Sequence, residues 1–198
     1  MRVLVVYCHP IERSYGAALH TAVLDGLAEK SHQVTDIDLY AEGFDPVLRK
    51  EDWYNYYNTD KNAESVRRYA EQLQVMDALV LIYPSWWYGL PAMLKGYFDR
   101  VWLPGIAFDV MIDGRIGTDR LRRLRRILVV TTYGSPWWLI KIYMGDPTRK
   151  IVERGLKRIC GRPCRVRWYA KYNMDRSSKR DLQKFLERVR RGAARIAE

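Results

Sequence analysis

Three histidines and three cysteines are all that 198 residues offer as nitrogen or sulfur metal ligands, and they do not cluster. His9, His20 and His32 lie far from Cys160 and Cys164, and no H-E-x-x-H is present. Two isolated thiols are too few for a zinc site, so no metal is expected and the cysteines read as structural. An odd, small cysteine count makes no disulfide framework and fits a reducing cytoplasm. No G-x-S-x-G marks a hydrolase nucleophile, no G-x-G-x-x-G follows a strand, and no G-x-x-x-x-G-K-[ST] occurs. Long apolar runs are missing too. Met1–Tyr7 is followed at once by His9, Glu12 and Arg13, and is shorter than the roughly 7–15 residues of a signal-peptide core. Ala78–Leu94 carries no charge, but Pro84, Ser85, Gly89 and Pro91 break it short of the roughly 20 residues of a spanning helix. A soluble chain without membrane insertion is expected.

Acidic residues are also scarce: 23 against 34 Lys and Arg, a net charge of +11. Residues 149–198 hold seventeen of the bases and five of the acids, so the excess sits in that stretch. Such an excess serves nucleic acid, an anionic surface or a phosphorylated small molecule, or is simply a solvated helix face. The solvated face is the plainer reading, and no nucleic-acid partner is expected. With 48% apolar and 13% aromatic residues, the chain has the composition of one globular domain spanning 1–198.

Short β-branched runs alternate with helical periodicity. Strands are expected at Arg2–Tyr7, Gln33–Leu39, Ala78–Tyr83, Ile127–Thr132 and Arg165–Tyr169. Between and after them, helices are expected from Ser14 to Leu27, around Val66–Leu73, from Pro91 to Trp102, over Pro147–Ile159, and from Ser178 to Ile196. Pro91 reads as a first helical residue, Trp102 as core-facing, and Ser178 with Asp181 as a capping box. Five strands separated by helices make an α/β, doubly wound parallel sheet with helices on both faces. Ligands of such sheets sit at the carboxyl ends of the strands, so the loops after strands one, three and four are the informative ones.

The first of these, Cys8–Gly16, leads into a helix amino terminus, where free N–H groups and the helix dipole receive phosphate. His9, Arg13 and the Ser14 hydroxyl add donors; equally, Ser14 caps the helix and His9 is an ordinary loop residue. Loop three, Pro84-Ser85-Trp86-Trp87-Tyr88-Gly89, places three large aromatics in a polar turn, and they cannot all face one core. Loop four offers Thr131, Thr132, Tyr133 and Gly134, then Trp137 and Trp138. Flat walls with main-chain donors suit an isoalloxazine ring. The chain itself has no evident nucleophile, so a cofactor is expected to carry the chemistry.

C-H-P-I-E-R-S-Y at 8–15, D-L-Y-A-E-G-F-D-P-V at 38–47, Y-P-S-W-W-Y-G-L-P-A-M-L-K-G-Y-F-D-R-V-W at 83–102 and V-T-T-Y-G at 130–134 together resemble the NAD(P)H:quinone oxidoreductase family of flavodoxin-like proteins, DT-diaphorases among them. The resemblance covers nearly the whole chain, and 83–102 is its most specific part. It implies a flavodoxin-like fold and a non-covalent flavin: FAD from the G-F-D-P-V connection, with FMN the alternative. It further implies NADH or NADPH as donor, a quinone-like acceptor, ping-pong transfer and a homodimer, a state that seven Trp and fourteen Tyr also favour. His9, Ser14 and Tyr15 match the family's phosphate loop, with Gly16 standing where DT-diaphorases have Asn. Pro84, Ser85, Trp86, Trp87 and Tyr88 match the loop against the flavin ring, Trp86 replacing a Gln. Thr131, Thr132, Tyr133 and Gly134 match T-T-G-G, with Tyr133 in place of the first Gly. Tyr88, Tyr133, Trp137, Trp138 and Tyr143 are the candidate substrate walls. Met144 stands at a position that holds a His in DT-diaphorases, so no catalytic side chain is carried over. Two other readings remain. One is an electron-transfer flavodoxin, disfavoured by the basic charge; the other is a regulatory or ancillary partner-binding subunit, as of an ion-efflux system.

Overall fold

The computed structural model describes residues 1–111 and 113–198. In chain order it holds β1 (Arg2–Tyr7), α1 (Tyr15–Ala28), β2 (Gln33–Asp38), α2 (Lys50–Tyr54), α3 (Arg67–Val75), β3 (Ala78–Pro84) and α4 (Ala92–Val101). A small antiparallel hairpin follows, β4 (Asp109–Val110) and β5 (Ile116–Gly117), then β6 (Arg126–Thr132), α5 (Pro147–Lys150), α6 (Lys157–Ile159), β7 (Arg165–Lys171) and α7 (Lys179–Ala194). The main sheet is parallel throughout, in the order β2-β1-β3-β6-β7.

The three inner strands β1, β3 and β6 are nearly continuous apolar runs because both faces are covered there, while the edge strands β2 and β7 carry polar residues. Alternate side chains point to opposite faces. Leu4, Val6, Leu79, Leu81, Ile127 and Val129 pack with Leu73 of α3 and with Leu94, Tyr97 and Val101 of α4. Val3, Val5, Val80, Ile82, Leu128 and Val130 pack with Leu19 and Val23 of α1 and with Phe185 and Val189 of α7. Trp102 is buried in the α4 face, as its helical spacing predicts.

Two glycines set how closely the layers approach. A Cβ on Gly26 would lie 2.1 Å from the Arg190 carbonyl oxygen, so α1 and α7 touch backbone to backbone. A Cβ on Gly96 would lie 2.2 Å from the Pro46 carbonyl oxygen, which seats the long 39–49 connection on α4. The buried Arg100 guanidinium secures the same connection, donating to the Asp45 carbonyl and to Ser65 Oγ at 3.0 Å.

Three local expectations change. Pro91 is the residue before the helix rather than its first: its ψ of 145° is extended, while its carbonyl accepts from the Lys95 N–H at 2.9 Å. The helix expected over Pro147–Ile159 is continuous in path, but Ile151–Leu156 winds as a wider π-helical turn. Gly155, lying within it, is the residue type that departs from α geometry at least cost. Trp137 and Trp138, read as loop, begin a helical segment that continues as the π turn Leu139–Tyr143. Among the described residues no helix is long and apolar enough to cross a membrane.

Candidate functional site

Tyr7 pairs with Ile82, and Ile82 with Val130, so β1, β3 and β6 end level and release their loops along one edge. Strand order reverses direction between β1 and β3, the crevice where open α/β sheets bind ligands.

The β1 loop ends in a formed helix cap: Ser14 Oγ accepts from the Ala17 N–H at 3.1 Å. The Tyr15 and Gly16 N–H groups are left without protein acceptors among the described residues, as expected of the first turn of a helix. His9 Nδ1 accepts from the Ile11 N–H at 3.0 Å, which assigns the ring proton to Nε2. The ring lies on the helix start: a Cβ on Gly16 would meet His9 Cδ2 at 3.1 Å. Gly16, where the resemblance implied a lost contact, is therefore what admits the imidazole. Trp86 of the β3 loop comes to 6.4 Å from the same imidazole, centroid to centroid, and this joins the two loops. Tyr15 differs from its expected role. Its hydroxyl donates to the Leu182 carbonyl at 2.9 Å, so the side chain ties α1 to α7 and only its main chain faces the loop.

The β3 loop is a tight reversal. The Gly89 N–H donates to the Trp86 carbonyl at 2.9 Å, and the two turn residues are left-handed, φ 50° at Trp87 and 60° at Tyr88. Two consecutive positive φ values define a type I′ turn, a geometry dominated by Gly, Asn and Asp. Here bulky aromatics occupy both positions, and each costs on the order of 1–3 kcal/mol. Ser85 anchors the turn from below, its N–H on the Thr132 carbonyl at 2.8 Å and its hydroxyl on the Gly89 carbonyl at 3.2 Å. The strain is not offset by burial, since Trp87 is 96% exposed. Pro84, by contrast, closes β3 opposite Thr132.

Opposite this turn lies the β6 loop, and Ser85, Trp87, Tyr88, Tyr133, Gly134, Ser135 and Ile140 enclose a cleft of about 230 Å³. Tyr133 lines it but is not a free wall. Its hydroxyl bonds Thr148 Oγ1 at 2.6 Å, and its ring stacks on Tyr172 at 5.1 Å. Its N–H donates to the Lys171 carbonyl and its carbonyl accepts from the Met174 N–H. Burial pushes the Tyr133 hydroxyl well above the ordinary tyrosine range. Thr131 does not line the cleft: it is fully buried, as its neighbour Val130 is, because both faces of β6 are covered, and its hydroxyl has no hydrogen-bond partner among the described residues. Thr132 contributes the carbonyl that holds Ser85. The donors that remain on the cleft are main-chain. The N–H groups of Trp87, Tyr88, Gly134 and Ser135 have no protein acceptor among the described residues.

Trp137, Trp138, Ile142 and Tyr143 do not line the cleft; they stand exposed on the adjoining helical segment, Tyr143 to 79%. Sequence reasoning passed over Thr148, Tyr172 and Asp175, which support loop four from behind. A Cβ on Gly134 would meet Asp175 Oδ2 at 2.9 Å, so a larger residue there would have to turn the Asp175 side chain aside. None carried a local signal, since each approaches from a distant part of the chain.

Comparison with known proteins adds the following. A family profile described as a flavodoxin-like fold matches residues 1–191. YcaK of Escherichia coli, an uncharacterized NAD(P)H oxidoreductase, is 41% identical over 108 residues, covering 54% of this chain and 55% of that one. The matched stretch thus spans about half the length of that relative. The human ribosyldihydronicotinamide dehydrogenase (quinone) is 27% identical over 179 residues, 81% of this chain and 77% of its own. A solved structure from Streptococcus mutans superposes with a TM-score of 0.86 at 28% identity, over 99% of this chain and 100% of that one.

Proposed function

The chain belongs to the flavodoxin-like fold family, and on that premise we propose that it is a flavin-dependent NAD(P)H oxidoreductase passing two electrons to a quinone or similar flat acceptor. One observation carries this reading. A strained aromatic turn and four unpartnered main-chain N–H groups converge on a cleft between the loops that leave β3 and β6. Nothing in the fold's own packing requires either. The names of its relatives, NAD(P)H oxidoreductase and quinone dehydrogenase, agree.

The residues fit a flavin at both ends. At the phosphate end, His9 Nε2–H, Ser14 and the free Tyr15 and Gly16 N–H groups gather at the helix terminus, a ready anion site. At the ring end, Pro84, Ser85, Trp86, Trp87 and Tyr88 form one rim and Thr132, Tyr133 and Gly134 the other. We assign FAD, with FMN the alternative, because the 39–49 connection that carries G-F-D-P-V resembles that of the FAD-binding branch. When bound, the flavin accepts a hydride from reduced nicotinamide and delivers the electron pair to the acceptor.

The chain's own part is to orient, stack and screen. Main-chain N–H groups around the cleft meet negative charge at the ring edge, as an oxyanion hole does. Tyr133, with its hydroxyl held by Thr148, keeps its proton across the neutral range. Met144 exchanges no proton, so no titrating imidazole shapes the pH–rate profile. The candidate walls belong to two adjacent loops, Trp87 and Tyr88 on one and Tyr133 on the other, so donor and acceptor use one place in turn, against Trp87 and Tyr88. We also propose a single-domain, cytoplasmic homodimer with Trp137, Trp138, Ile142 and Tyr143 in the interface, since these exposed aromatics adjoin the cleft.

Reconstitution with FAD or FMN should give a flavin absorption band and a raised Tm. Initial rates of NAD(P)H oxidation against varied quinone should form parallel double-reciprocal lines. Absence of flavin binding overturns the function, and intersecting lines overturn the shared site. Light scattering that returns a monomer mass overturns the dimer.

A further inference from the structure

The edge of the sheet opposite the cleft carries a second, larger cavity. About 560 Å³ in volume, it is lined by Met1, Asp77, Arg122, Arg123, Arg125 and Arg126. Four arginines thus line the cavity beside a single carboxylate. That carboxylate is already engaged: Asp77 accepts from the Arg2 N–H at 3.0 Å, with the Arg123 guanidinium at 3.5 Å and that of Arg2 at 3.7 Å. It contributes little toward neutralising the remaining arginines.

The backbone presenting these side chains is fixed. In the run R-L-R-R-L-R-R over 120–126, Leu121 and Leu124 are buried, and their carbonyls both accept from the Gly161 N–H. Arg125 donates its N–H to the Asp77 carbonyl and accepts from the Arg165 N–H, at 3.0 Å each. With the leucines anchored inward, Arg122, Arg123 and Arg125 project outward from a rigid strand entry. The Nε atom of Arg126 is buried without an acceptor among the described residues, although its two terminal nitrogens bond the Arg125 and Ala197 carbonyls. A buried, unpaired N–H is costly unless something accepts from it.

We propose that this cavity binds a small anion bearing adjacent phosphates, either free inorganic polyphosphate or the tail of a nucleotide. Planar guanidinium forks pair with phosphate oxygens two bonds at a time, and the outward Arg122 and Arg125, with Arg123 between them on the chain, match a di- or triphosphate rather than a single phosphate. The lining has no aromatic ring to stack a base and no hydroxyl to read a ribose, so recognition runs through the phosphates alone. The site lies across the sheet from the flavin cleft and does not depend on the reading of that cleft.

Calorimetric titration of the protein as purified in 0.15 M salt, where the Debye length is about 8 Å, tests this. Inorganic tripolyphosphate should bind at least tenfold tighter than orthophosphate, and ATP no tighter than tripolyphosphate. The Arg122→Gln/Arg125→Gln variant should lose at least tenfold in tripolyphosphate affinity. Arg188→Gln/Arg191→Gln removes the same charge from a separate basic cavity lined by Arg167, Arg188, Arg191 and Arg195, and should change affinity less than twofold. Unchanged melting temperatures would show that both variants fold. Equal losses in the two pairs would reduce the effect to overall charge and overturn the site. Orthophosphate binding as tightly as tripolyphosphate, or ATP binding tenfold tighter than it, would overturn phosphate-only recognition.

Discussion

Replacing Trp87 by glycine separates what the loop does for stability from what it does for a ligand. Trp87 holds φ at 50° and is 96% exposed. A left-handed L-residue costs roughly 1–2 kcal/mol, which glycine does not incur. Glycine in turn loses roughly 0.5–1 kcal/mol more chain entropy on folding. With almost no buried surface to forfeit, Trp87→Gly should leave the apo protein between unchanged and about 1.5 kcal/mol more stable. For a chain of this size that is a rise of at most about 6 °C in Tm. The flavin should respond in the opposite direction. Loss of one aromatic stacking partner is worth about 1–3 kcal/mol, or a roughly 5- to 150-fold rise in Kd. Differential scanning calorimetry of apo protein and a fluorescence titration with FAD and FMN measure the two quantities. A variant destabilised by more than about 1 kcal/mol with unaltered flavin affinity would refute the assignment of strain to function.

Other substitutions bear on separate links of the argument. Trp102→Ala, at a buried position in the α4 face, should cost about 3–5 kcal/mol in urea unfolding while the folded fraction keeps its flavin affinity. Ser14→Ala removes the α1 cap and should cost about 1 kcal/mol, and it should weaken binding of flavin phosphates more than of riboflavin, as compared by titration. Gly96→Ala forces a methyl group against the Pro46 carbonyl and should destabilise by about 1–3 kcal/mol; an unchanged denaturation midpoint would contradict that contact. Burial raises the Asp146 carboxyl, against the pull of Arg149 and Lys141. A raised folded pKa means that stability is fully present below the unfolded value near 3.9 and falls as pH rises through the folded one. Asp146→Asn should therefore be the more stable form at pH 8, with the gap narrowing toward pH 4. Asparagine also tolerates the φ of 52° at this position. A gap independent of pH would exclude the carboxyl as its cause.

The five main strands were legible because β-branched runs such as Arg2–Tyr7 and Ile127–Thr132 have one stable use, a sheet covered on both faces. The family likeness was legible for a similar reason, being carried by contiguous motifs. The turn after β3 was legible too, but its left-handed geometry at Trp87 and Tyr88 was not, because Trp and Tyr are among the last residues that propensity would place at positive φ. Tyr133 lines the cleft, but that its hydroxyl and ring are already engaged was not legible, because its partners Thr148 and Tyr172 lie fifteen and thirty-nine residues away in sequence, and adjacency in the chain says nothing of them. The arginine run at 120–126 was visible as charge. Its leucine spacing acquires meaning only once Gly161 is seen to hold it.

The sheet face covered by α1 and α7 bears on how the chain is made. Synthesis proceeds from the amino terminus, and domains form as their segments emerge. Val3, Val5, Val80, Ile82, Leu128 and Val130 find only Leu19, Val23 and Leu27 to cover them until Phe185, Val189 and Ala193 arrive. Until α7 is made the nascent protein thus presents a half-clothed apolar sheet, and closure waits for that helix. The Gly26–Arg190 contact and the Tyr15–Leu182 hydrogen bond are then among the last native contacts to form. Shortening the chain by that helix would leave a sticky intermediate instead of a smaller protein, and hold it where chaperones and aggregation compete.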